Sequence, residues 1–205
     1  MHRAGSASWQ IGINRWSHAF DVALWFRAVE RIEVPAGGIV PGPLDIGAVP
    51  EPSPDAGDPA ELVPSWLGWW RALAEAPRRT PPFNPERRQG EAAFIPPDFT
   101  GLAEWPRLRQ LVAGRWEDAY QWHTARKRAA RGPAGRGDDR TGQVVADIER
   151  ELGRKALPFS LDLVVLPVVD DEVRRLGGDR YLVPEAIADG PSWPSALRAL
   201  VTPIA

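Results

Sequence analysis

The chain has 205 residues, a formal net charge of −2, no cysteine, and apolar and charged fractions of 43% and 25%. Such a composition is that of a folding globular protein. It excludes disulfides, thiolate nucleophiles and sulfur-ligated metal or iron–sulfur centres. The balance of charge gives no global attraction to nucleic acid or to an anionic membrane. Of 25 basic residues only Lys127 and Lys155 are lysines, and Ala, Gly, Pro and Arg abound. That bias fits a GC-rich, bacterial host and says little about chemistry.

The N-terminus leads into Trp9 to Asn14 with no apolar run followed by a small-residue cleavage site, so a cytoplasmic location is expected. The longest charge-free apolar run, Leu163 to Val169, is far short of a bilayer span.

Residues 15–33 are predicted to be a first helix. Val22, Trp25, Phe26 and Val29 fall on one face, Phe20 and Leu24 on the other, and Ser17 stands at the N-cap. Being apolar on two faces, it is expected to be central. Residues 35–105 read as a proline-rich irregular insert, and 15 of the 22 prolines fall between 35 and 106. One helix is predicted inside it, from Pro64 to Ala76, carrying Trp66, Leu67, Trp69, Trp70 and Leu73. The longest predicted helix runs from 106 to 130, with Leu108, Leu111, Val112, Trp116, Ala119, Tyr120 and His123 at helical spacing. A flexible Gly/Arg loop is expected at 131–141, then a helix from Thr141 to about Gly153.

Alternation from Phe159 to Val165 predicts a strand, and 180–183 a second one. The ten or so residues between them look too short for a parallel crossover, so antiparallel pairing is expected. Asp170 is read as capping a single helical turn ended by Gly177 and Gly178. A helix from Ser192 to Leu200 closes the chain. The expected fold is α+β over 1–205 as a single domain: several helices on a small, mostly antiparallel C-terminal sheet.

Ten tryptophans are far above ordinary usage. The cluster Trp66, Trp69 and Trp70 fits two roles: an aromatic face for a partner protein, or a core packed under the proline-rich segment. Arg115 lies on the apolar line of its helix. It suits anion recognition, or an internal pair with an acid such as Asp118. His18 and His123 sit on apolar stripes that can face each other, with Asp21, Glu117 or Asp118 as available carboxylates. A two-histidine metal site and a pair of core histidines are the alternatives. Asp170 and Asp171, just past the main strand, suit metal-dependent phosphoryl transfer or a helix cap. The run Arg126 to Arg136 fits phosphates weakly, because no aromatics interleave with it. Neither a nucleotide-binding loop nor a serine-hydrolase motif is present. No cofactor is expected.

These observations give two expectations from different classes. The first is a non-enzymatic protein-binding or accessory module of a bacterial multi-protein system, working through Trp66, Trp69, Trp70 and Arg115. The second is a carboxylate- or metal-dependent hydrolase drawing on Asp170, Asp171, His18 or His123. A partner protein is expected more than nucleic acid, and no membrane; the hydrolase reading instead expects a bound metal or small molecule.

Overall fold

The protein is described from a computed structural model over residues 2–5, 9–76, 90–130 and 140–205. Five strands and six helices follow in chain order: β1 (His2–Gly5), β2 (Trp9–Asn14), α1 (His18–Val29), α2 (Pro59–Glu75), α3 (Pro106–Ala129), α4 (Arg140–Leu152), β3 (Phe159–Leu166), β4 (Arg174–Gly177), β5 (Arg180–Pro184), α5 (Glu185–Asp189) and α6 (Trp193–Val201). Short 3-10 turns at Glu91–Phe94 and Thr100–Leu102 precede α3. The chain divides into two compact units. One is continuous, residues 17–128; the other is assembled from residues 1–16 and 129–205. Most of the Gly/Arg segment expected at 131–141 lies outside the described residues, while Arg140 and Thr141 already belong to α4.

The discontinuous unit is a five-stranded sheet in the order β1-β2-β3-β5-β4. Its three central strands are parallel, and only the edges β1 and β4 pair antiparallel. Two expectations are corrected here. The sheet is mostly parallel, and it is not confined to the C-terminal part, because β1 and β2 come from the first 14 residues. The link from β3 to β5 is itself a strand. β4 runs back along the far side of β5 and turns through Gly178, whose φ of 52° suits glycine. That hairpin returns β5 parallel to β3 without a helix, and it replaces the helical turn expected after Asp170.

On one face of the sheet Ile11, Ile13, Leu161, Leu163, Val165 and Val183 pack against Val144, Val145 and Ile148 of α4 and Trp193, Leu197 and Val201 of α6. On the other face Val164, Leu166 and Leu182 are also fully buried. β3 is therefore apolar on both sides, as central parallel strands usually are.

The continuous unit is organised around α1, which is buried on nearly every side as its two-faced pattern predicts. α2 begins five residues before the expected start. Asp58 caps it by accepting from Ala60 N, Pro59 occupies the first turn, and Pro64 is carried inside. The proline-rich stretch between α1 and α2 forms no strand, and within it Gly37 and Val40 make an isolated bridge. Its carbonyls are met by side chains. Arg27 donates to Val34 O at 2.6 Å, Pro41 O at 3.0 Å and Gly42 O at 3.3 Å. Trp70 Nε1 donates to Ile39 O at 2.7 Å. Glu30, wholly buried, accepts from Ser53 N and Ser53 Oγ. Proline has no N–H to offer, so side-chain donors supply what a strand partner would otherwise provide.

Among the described residues, no helix is long and apolar enough to cross a membrane.

Candidate acid–base site

Trp66, Trp69 and Trp70 have no accessible surface. Trp66 stacks on Trp70 at 5.4 Å, Trp70 meets the edge of Phe20 at 5.1 Å, and Trp69 meets Phe26 at 6.1 Å. Trp66 Nε1 donates to Ala23 O at 2.9 Å. The three rings are the packing between α2 and α1, and they present no face to a partner. The physical reason is that α1 is apolar on two sides and α2 must cover one of them.

Arg115 has partners within the chain. Its Nε stands 3.5 Å from Asp118, Nη2 donates to Glu51 O at 3.1 Å, and the guanidinium lies 5.5 Å over the ring of Trp25. Asp170 is held by Arg174 through bonds of 2.8 and 3.1 Å, with both side chains buried, and its Oδ1 also accepts from Glu172 N. Asp170 and Arg174 make a structural pair that positions β4. Asp171 is exposed beside it. Among the described residues, no group of three or more histidine, aspartate or glutamate side chains is arranged to hold a metal ion.

His18 and His123 do come together. Their ring centroids are 4.8 Å apart with planes at 74°, so the two apolar stripes face each other as their positions allow. Between the helices lies Asp21, fully buried. His123 Nδ1 is 2.7 Å from Asp21 Oδ2, and Arg126 Nη1 is 3.0 Å from the same oxygen. His18 and Asp21 are one turn apart on α1, and His123 and Arg126 one turn apart on α3, so each helix brings two members to the same face. Trp116 and Tyr120 close the ring of His18 edge-on at 4.7 and 5.4 Å, and Phe99 backs Trp116 at 5.3 Å.

Among the described residues, two buried polar atoms of this cluster have no hydrogen-bond partner: His18 Nε2 and Asp21 Oδ1. Burial, followed by repulsion from His123, pushes the His18 ring down to about 4, so it is neutral at physiological pH. A carboxylate oxygen only accepts, so the His123–Asp21 contact places the hydrogen on Nδ1. In a neutral ring held this way, Nε2 is the nitrogen left to accept.

Sequence reading named both histidines and Asp21, but it took Arg126 only as the start of a basic run that fits phosphates weakly. The spacing of His123 and Arg126, repeating that of His18 and Asp21, was the signal that joins all four. No protein-family model, curated protein or solved structure matches this chain.

Proposed function

We propose that the continuous unit carries an acid–base site and that the protein is a carboxylate-dependent hydrolase, with His123 as the base and water as the nucleophile. The observation that carries this reading is the 2.7 Å contact between His123 Nδ1 and the fully buried Asp21. The carboxylate orients the imidazole and offsets the charge that appears when Nε2 takes a proton from water. Arg126 holds the same oxygen and fixes the carboxylate in place. Asp170 has no part in this reading, because Arg174 already occupies it.

The test is turnover of chromogenic carboxylic-ester, phosphate-ester and amide substrates by the full chain between pH 5 and 9. His123→Gln serves as the paired variant, with circular dichroism confirming its fold. Turnover by the native protein, lost by at least a hundredfold in the variant, supports the assignment. Equal turnover by both proteins, or none by either, removes it.

A further inference from the structure

We propose that the Asp21 cluster is a proton-operated latch: it holds the C-terminal half of α3 against α1 at neutral pH, and protonation of His18 releases it. The latch stands on geometry and does not depend on whether His123 is catalytic. One carboxylate, Asp21, joins the two helices by taking bonds from both His123 and Arg126 on a single oxygen.

The groups that meet at this point are His18 and Asp21 from α1 and Tyr120, His123 and Arg126 from α3. From α2 and from the 3-10 turns the neighbouring contacts are between uncharged rings, Phe20 with Trp70 and Phe99 with Trp116. Asp21 is the anion that His123 and Arg126 share. A cation on His18 would stand 4.8 Å, centre to centre, from the ring of His123, which shares one oxygen of Asp21 with the guanidinium of Arg126. Its buried Nε2 has no acceptor to receive a proton's hydrogen bond. Opening the helix pair to water relieves the repulsion and the missing bond together.

The sign follows from the depressed affinity of His18. The ring binds a proton near pH 4 in the closed state and near 6.5 once exposed. Closure is therefore favoured fully above pH 6.5 and weakens as pH falls from there to 4. Because the ring is only partly buried, the effect is on the order of a tenfold rise in the opening equilibrium between pH 7 and pH 5.

The experiment is hydrogen–deuterium exchange of the full chain at pH 7, 6 and 5, corrected for intrinsic rates and read on peptides from 115–129, with α6 as the reference. The native protein is expected to show that rise in α3 alone. His18→Phe, which keeps a ring for Trp116 and Tyr120 to pack on, and His18→Gln are expected to abolish it. The same rise in both variants, or none in the native protein, overturns the latch. Should neither variant fold, the imidazole signal of His18 in the native protein decides. Titration close to 4 supports the latch and titration near 6.5 overturns it.

Discussion

The guanidinium of Arg27 lies 5.2 Å above the ring of Trp66 while donating to three carbonyls of the proline-rich stretch. One side chain from the central helix thus satisfies acceptors that the prolines cannot pair among themselves, and it packs on the tryptophan helix at the same time. Burial lowers the affinity of Arg27 for its proton, yet a guanidinium stays charged. Arg27→Met keeps the stem but leaves Val34 O, Pro41 O and Gly42 O without this donor. Each lost partner costs roughly 1–3 kcal/mol, so the variant is expected to lose several kcal/mol in urea unfolding. Arg27→Lys should fall between, because an ammonium lacks the planar fork that reaches all three. Equal stability of Lys and Arg at this site would show that the carbonyls are satisfied in another way.

Gly68 gives a prediction in which two effects oppose. It lies inside α2, where replacement by alanine gains about 1 kcal/mol of helix propensity. A Cβ there would overlap the ring of Trp105. Overpacking of that kind costs roughly 1–3 kcal/mol, so Gly68→Ala is expected to destabilise the continuous unit despite the better helix former. Differential scanning calorimetry of the variant decides the sign. A rise in Tm would mean that Trp105 swings aside freely.

Much of this fold is legible in the residues. The two-faced apolar pattern of α1, the spacing along 106–130 and the alternation from Phe159 each led to the right element, because each is a local pattern set by burial. β2 was missed although Trp9, Ile11 and Ile13 alternate with Gln10, Gly12 and Asn14 as in a half-buried strand, and β1, His2–Gly5, carries no such alternation. The parallel pairing was missed for a different reason. Its signal was present in the near-continuous run Leu163 to Leu166, buried on both faces. The link after it was judged by length alone, and length cannot reveal that β4 makes the return. In the site, the two histidines were visible as polar residues on apolar stripes. Which acid joins them depends on the rotation of α3 against α1, and a single sequence carries no record of that.

The pair Asp170 and Arg174 tests whether the acids after β3 serve structure or metal chemistry. Arg174 is raised in proton affinity chiefly by its bond to Asp170, and both side chains are buried. Removing one partner of a buried pair costs about 3–5 kcal/mol when the other charge is left uncompensated, and the 3.0 Å contact of Arg174 with Glu172 reduces that loss here. Asp170→Asn is expected to lower the urea midpoint accordingly. Magnesium or manganese should leave the native midpoint unchanged. A metal-dependent rise in the native protein, lost in the variant, would instead return Asp170 to the list of ligands.

The last prediction concerns whole-molecule stability and is separate from the local opening of α3. Because the proton affinity of His18 is depressed to about 4 in the folded protein, the unfolded chain takes up a proton between pH 6.5 and 4 that the native state refuses. Stability is therefore present above pH 6.5 and falls with decreasing pH through that window. Asp21→Asn removes the charge that joins His123 and Arg126, and it should destabilise the protein at every pH, by about 3–5 kcal/mol at neutrality. His18→Phe should instead flatten the slope between pH 6.5 and 4 while changing neutral-pH stability little. Denaturant unfolding of the three proteins at half-unit pH steps separates the two effects. A slope in the Phe variant as steep as the native one would assign the acid sensitivity to a group other than His18.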